Sequence, residues 1–256
     1  MSNSPDVVAT KSTLPALDAR EIDAAIERIQ NVIAATPLQY SERLSALTGA
    51  KVYLKREDLQ GVRSYKIRGA YNLMSQLTEA ERAAGAVTAS AGNHAQGVAY
   101  ACRTMQIRGR IYVPANTPKQ KRDRIRAHGG DFVELFMVGE TYDAAAAAAA
   151  EDVARTGATM VPPFDDVRTA AGQGTIAAEI LQQLDRPPRR DCCSGWWRWV
   201  HRRYCHVPAR AFAEDVDRGY RTFGCGVHDS CSGCRCACDA AGGRSVCGRC
   251  GGQADR

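Results

Sequence analysis

Cysteine is almost missing from residues 1–188, where only Cys102 occurs, and the same stretch sets 22 Lys/Arg against 21 Asp/Glu. A single thiol excludes a disulfide framework there, and balanced charge removes the usual argument for a nucleic-acid partner. No run of about 18 apolar residues occurs anywhere, so no membrane-spanning helix is expected. No charged start followed by a short apolar stretch marks a secretory signal, so the expected location is cytoplasmic, where disulfides are rare. Residues 189–256 lack different things: they contain no Lys, Leu, Ile, Met or Asn, yet hold 12 arginines, ten of the eleven cysteines and all three tryptophans. With 7 acids against those arginines, nearly all of the net charge of +6 belongs to this tail. A segment so poor in large aliphatic residues cannot bury a core.

What is present is organised around Ser64-Tyr65-Lys66-Ile67-Arg68-Gly69-Ala70. The apolar run Val52-Tyr53-Leu54 and the charged Lys55-Arg56-Glu57-Asp58 precede it, so it reads as a loop that leaves a strand and opens a helix. A lysine at a helix N-terminus meets the positive end of the helix dipole, and in a dry site it titrates low enough to act as an amine nucleophile, the chemistry of a Schiff-base lysine. On these residues alone a solvated lysine in a first helical turn is the plainer reading. A second stretch, Ser90-Ala91-Gly92-Asn93-His94-Ala95-Gln96-Gly97, follows the strand-like Ala86-Val87-Thr88-Ala89 and precedes a helical pattern. Gly92 permits a tight turn there, and the main-chain N–H groups after it open the helix and suit a carboxylate or phosphate. Most such turns merely connect a strand to a helix.

Along the chain, Glu21–Ala35 spaces Ile22, Ala25, Ile26, Ile29 and Ile33 for an amphipathic helix entered at Asp18 and ended by Pro37. A helix over Ile67–Leu77 is followed by alternating strands and helices. The strands are expected near Val87, at Arg110–Val113, at Phe132–Leu135 and at Thr159–Val161. The helices fall over 94–104, 118–127, the alanine run Ala144–Ala150 with its continuation, and Thr169–Leu184 with Ile176, Ile180, Leu181 and Leu184 inward. That alternation argues for parallel strands joined by helices. The basic run Lys119–Arg126 reads as a solvated helix face, with Pro118 at its start and Ile125 inward.

These stretches, in order with Thr36-Pro37-Leu38, Lys55–Gln60, Phe164-Asp165-Asp166 and Gly172-Gln173-Gly174-Thr175, resemble the fold-type-II pyridoxal-phosphate enzymes, and within them the threonine (serine) dehydratases, over roughly residues 35–185. The resemblance implies an α/β fold of two domains, like the tryptophan synthase β chain, with pyridoxal 5'-phosphate between them. A loose N-terminus over 1–20 would lead into the large domain over 21–86, a smaller α/β domain over 87–163, and a return to the large domain over 164–191. Lys66 would be the catalytic and cofactor-holding lysine and Asn93 would face the cofactor's 3-hydroxyl. The turn of Ser90, Ala91, Gly92, Asn93 and His94 would hold the substrate carboxylate. The implied activity is deamination of L-threonine to 2-oxobutanoate and ammonia, at the entry to isoleucine synthesis, in a homo-oligomer acting on a small amino acid. Ala91, lacking a hydroxyl, fits a dehydratase better than a racemase, which needs a second proton donor across Cα. Serine dehydratase or racemase is the nearest alternative, and a non-catalytic product is the other.

One expected motif is missing. A glycine run that grips the cofactor phosphate is due within a dozen or so residues of Leu184, and residues 192–256 are instead rich in Cys, Arg and Gly. Cys231-x-x-Cys234 and Cys247-x-x-Cys250 have the spacing of a four-thiolate zinc site, but no hydrophobic residue larger than valine follows Gly224 to organise one, so no metal is expected. The genetic code offers a different reading. Tryptophan is TGG only, and reading one nucleotide later turns each such codon into glycine. Applied to Trp196, Trp197 and Trp199 the shift gives Gly, Gly, x, Gly, and Asp191-Cys192-Cys193 becomes Ile or Thr followed by two residues that are each Val or Ala, which suits the strand and glycine run the resemblance requires. The tail is therefore expected to be frameshifted from near residues 188–190, leaving the large domain incomplete.

Overall fold

The structure, a computed structural model, describes residues 17–185. The expectations for 1–16 and for the tail, including its zinc spacing and shifted frame, lie outside the described residues.

Helix α1 (Ala19–Ile29) starts at Asp18, whose carboxylate accepts from the Arg20 N–H while Glu21 returns a bond to the Asp18 N–H. It buries Ile22, Ala25 and Ile29. The helix stops short of the expected Ala35. One further turn survives, with Ile33 N–H donating to Ile29 O at 2.8 Å, which keeps Ile33 in the core. Beyond it the carbonyls of Ala34 and Thr36 accept side-chain donors from Gln60, Lys55 and Gln183, contacts that a continuing helix would have blocked.

Strands β1 (Leu38–Tyr40) and β2 (Tyr53–Lys55) pair antiparallel, joined through helix α2 (Glu42–Thr48), which ends at Gly49 with φ +66°. Helix α3 (Lys66–Ser75) follows, then a short α4 (Glu79–Ala84) capped by Thr78 and Glu81. Strands β3 (Ala86–Ala89), β4 (Gly109–Val113), β5 (Val133–Met137) and β6 (Thr159–Met160) form one parallel sheet in the order β5-β4-β3-β6. They alternate with α5 (Asn93–Met105), α6 (Lys119–Gly129) and α7 (Tyr142–Thr156), so the expected α/β fold is present. Side chains alternate across the sheet: Val87, Ala89 and Tyr112 pack with Ala145 and Ala149 of α7, while Ile111 and Val113 pack with Ala95, Ala99 and Ile125 of α5 and α6. The alanine run of α7 thus lies close to one face, and the basic face of α6 lies opposite its buried Ile125.

Helix α8 (Val167–Gln183) packs on α1 and α3. Its N-terminal half is buried on every side from Thr169 to Ile176, whereas Ile180, Leu181 and Leu184, expected inward, are only half-buried. The crossing with α3 is close because both helices offer glycine. A Cβ at Gly69 would lie 2.7 Å from Thr169 O, and one at Gly172 would lie 2.5 Å from Arg68 O.

Candidate active site

The sheet changes direction at β3. Its neighbour β4 is reached through α5 on one face, and its other neighbour β6 through α7 on the opposite face. Open α/β sheets bind ligands in the crevice that opens at such a switch, beyond the carboxyl ends of the strands. Here that place lies between the Ser90–Gly92 turn and Val161–Pro163. The two segments are tied together: Val161 O accepts Thr88 Oγ1 at 2.8 Å and lies 2.8 Å from His94 Nε2, while Val161 N–H donates to Val87 O at 2.8 Å.

Lys66 arrives from below as the first residue of α3. Arg63, at φ +56°, turns the chain just before it, with its N–H donating to Gln60 O. Lys66 is buried at 8% exposure, and its Nζ donates to Pro163 O at 2.7 Å, so the lysine reaches the end of β6. Burial pushes its pKa down from 10.5 to about 8. The helix start acts in the same direction, since its dipole disfavours a cation there.

Gly97 brings the second stretch to the first. A Cβ there would sit 3.1 Å from Ile67 Cα, Ile67 N and Lys66 C, so any other residue would push α5 a few tenths of an ångström away from the opening turn of α3. Gly92 caps α5 with no side-chain hydrogen bond at φ −119°, a value that does not itself demand glycine, which corrects the tight-turn rationale. What its lack of a side chain leaves is space, because a Cβ at Gly92 would meet nothing within 4 Å. Helix α5 begins its backward bonding at Gln96 N–H, to Gly92 O, so the N–H groups of Asn93, His94 and Ala95 form the open first turn. A carboxylate or phosphate fits that arrangement.

The residues of this turn divide by exposure. Ser90 is half-buried and its Oγ accepts from the Gly92 N–H at 3.3 Å. Ala91 is half-buried and packs on the Ala95–Ala99 cluster, while Asn93 is exposed. The His94 ring is buried at 3% exposure, with Nε2 on Val161 O and Nδ1 without a partner among the described residues. Burial pushes its pKa down to about 4, and the nearby Lys66 charge adds to that, so the ring is neutral at pH 7. Its part at an anion is thereby left to the main-chain N–H.

The sequence reading missed a charge cluster beneath Lys66. Arg68, 1% exposed, grips Glu57 with Nε and Nη2 at 2.9 and 2.8 Å, and Glu179 with Nη1 and Nη2 at 2.6 and 3.0 Å. Lys55 shares Glu179, and Thr36 Oγ1 donates to Glu57. For Arg68, burial works to lower the pKa, but the two carboxylates outweigh it and hold it raised. For Glu179, burial works upward and is outweighed by Arg68 and Lys55, so it stays low. Lys55, Glu57 and Arg68 lie inside the quoted motifs, but Glu179 does not, and nothing in sequence pairs Arg68 with a carboxylate 111 residues away.

A buried lysine and an anion-ready helix start thus lie together at the switch point of a parallel sheet. Residues 29–195 match the family described as "Pyridoxal-phosphate dependent enzyme", and the chain belongs to that family, whose cofactor is pyridoxal phosphate. Among curated proteins it is 65% identical over 188 residues to the biosynthetic L-threonine dehydratase of Mycobacterium tuberculosis, covering 73% of this chain and 43% of that one. It is 44% identical over 172 residues to the Bacillus subtilis enzyme of the same description, covering 67% and 41%. The chain thus spans about two fifths of the length of these relatives. Among solved structures, the processed form of threonine deaminase isoform 2 from Solanum lycopersicum matches with TM-score 0.61 at 38% identity, over 72% of this chain and 56% of that one. Maize serine racemase matches with TM-score 0.63 at 31% identity, over 66% and 51%.

Proposed function

We propose that this chain carries the lysine and the anion-binding turn of an L-threonine dehydratase, converting L-threonine to 2-oxobutanoate and ammonia. The observation that carries the reading is Lys66, buried, low-titrating and at the helix start that Gly97 of α5 packs against. Bound pyridoxal phosphate supplies an electron sink for negative charge developing at the substrate's Cα. Lys66 would hold the cofactor, and its neutral amine would take the proton from the substrate's Cα. With a pKa of about 8, roughly a tenth of it is neutral at pH 7, against a negligible fraction for an ordinary lysine. The N–H groups of Asn93, His94 and Ala95 would bind the substrate carboxylate, and the exposed Asn93 side chain would face the cofactor's 3-hydroxyl. Ala91 offers no proton donor, which favours elimination over racemisation. The division into a large domain (21–86, resuming at 164–191) and a small one (87–163) belongs to the same reading. So does a cytoplasmic location, in keeping with the free, buried Cys102.

The tail bears on activity. We read residues from near 188–190 onward as frameshifted, so that the indoles of Trp196, Trp197 and Trp199 stand where a phosphate-binding glycine run belongs. Three or four charge-assisted hydrogen bonds to the phosphate are then lost, and cofactor affinity falls by several orders of magnitude. The test compares the chain as written with a version shifted by one nucleotide before codon 191, measuring bound cofactor absorbance and oxo-acid release from L-threonine. Restored binding and threonine deamination only in the shifted version is the expected outcome. Equal activity in both overturns the account of the tail, and racemisation of L-serine at a comparable rate moves the reading to a racemase.

A further inference from the structure

We infer that Gln173 is a positioning residue for Lys66: its amide holds the Pro163 carbonyl when the lysine leaves it. The inference rests on Lys66 being the working amine. Pro163 O accepts two donors, Lys66 Nζ at 2.7 Å and Gln173 Nε2 at 3.3 Å. The second bond is long while the first is in place, which is the geometry of a partner in waiting. The amide orientation is fixed by its acceptor, since exchanging N and O would set two oxygens face to face.

Two features point to the amide being there to donate this bond. Gln173 is wholly buried, and its Oε1 has no hydrogen-bond partner among the described residues. A buried, unpaired amide oxygen is unfavourable, and methionine would fill the same space without it. The neighbouring helix also makes room for the amide, because a Cβ at Gly69 would come within 2.9 Å of Gln173 Nε2. A lysine that works must leave its resting acceptor. Without Gln173 that departure would strip the half-buried Pro163 carbonyl of both donors, and the lysine would be held in place.

The test uses the full chain without cofactor. Lysines are acylated with limiting acetic anhydride, and Lys66 labelling is read by peptide mass spectrometry against Lys119, whose side chain is 80% exposed. In Gln173→Met the Lys66 labelling rate is expected to fall roughly 5- to 50-fold relative to Lys119, the equivalent of one unpaired carbonyl, while the thermal midpoint hardly moves. Gln173→His keeps a donor nitrogen at similar reach and is expected to label within about twofold of wild type. Unchanged or faster Lys66 labelling in a folded Gln173→Met overturns the inference. If that variant does not fold, Gln173→His decides it, wild-type labelling supporting the role and slow labelling in a folded protein refuting it. Borohydride trapping of pyridoxal phosphate on a lysine other than Lys66 would refute the cofactor assignment, while the labelling ratios still decide the role of Gln173.

Discussion

Replacing Lys66 with methionine in the cofactor-free protein is expected to stabilise it at neutral pH. The residue titrates at about 8 in the folded chain against 10.5 for an unperturbed lysine, because burial disfavours its charged form. A depressed folded pKa gives a contribution that is present above 10.5 and is lost as pH falls from there to 8, since across that window the unfolded chain binds the proton and the folded chain does not. The full difference is about 3 kcal/mol, at 1.36 kcal/mol per pKa unit. The hydrogen bond to Pro163 offsets part of it at every pH, so the informative quantity is the change in the wild-type/variant difference with pH rather than its absolute size. Urea unfolding followed by circular dichroism, from neutral pH to above 10, measures it. Lys66→Met is expected to gain on wild type by about 3 kcal/mol on going from pH 10.5 down to pH 7, most of it above pH 8. A difference that does not vary with pH would mean that Lys66 titrates as a solvated lysine, and the argument for its nucleophilicity would fail.

Three further outcomes follow from the same geometry. His94, held at about 4 by burial against 6.5 unperturbed, makes the wild-type protein lose about 3 kcal/mol relative to His94→Gln as pH falls from 6.5 to 4, which acid titration of both proteins by circular dichroism checks. Gly172→Ala forces a methyl against Arg68 O and the Asn72 side chain, and is expected to lower the urea midpoint by the equivalent of about 1–3 kcal/mol or more. Arg68→Met leaves Glu57 and Glu179 facing each other without their shared cation, at a cost of about 3–5 kcal/mol in urea unfolding at neutral pH.

The alternation of strand and helix from Val87 to Thr159 was legible because its helices are long enough to show their period and the short apolar runs between them read as buried strands. Lys66 and the Ser90–Gly97 turn stood out for a different reason: taken alone each has a plainer structural reading, and only their order with the other motifs, which resembles a known family, singled them out. Strand β1 and helices α2 and α4 were not read, since 3, 7 and 6 residues leave no period to detect. The end of α1 was misplaced because what stops it is a set of tertiary bonds to the carbonyls of Ala34 and Thr36. The inward face of α8 was misjudged for a related reason. Its burial comes from the close crossing at Gly69 and Gly172, which favours small and polar residues such as Thr169, Gln173 and Thr175 over the aliphatic stripe that periodicity seeks.

In the proposed site, Lys66 and Arg68, two residues apart on one helix, have separate roles. A buried amine at the start of α3 is destabilised by desolvation and by the helix dipole, so the turn that bears it needs support from elsewhere. Arg68 supplies that support by joining the turn to Glu57, ahead of it in the chain, and to Glu179 on α8, while Gly97 and Gly172 bring α5 and α8 against its backbone. Position is therefore fixed by groups other than the reactive one. The sign of the stability change should separate the two roles: removing the lysine's charge relieves the fold at neutral pH, and removing the arginine's charge damages it. A protein in which both replacements were equally destabilising would be one where Lys66 is itself a structural residue, and the chemical assignment would lose its main physical support.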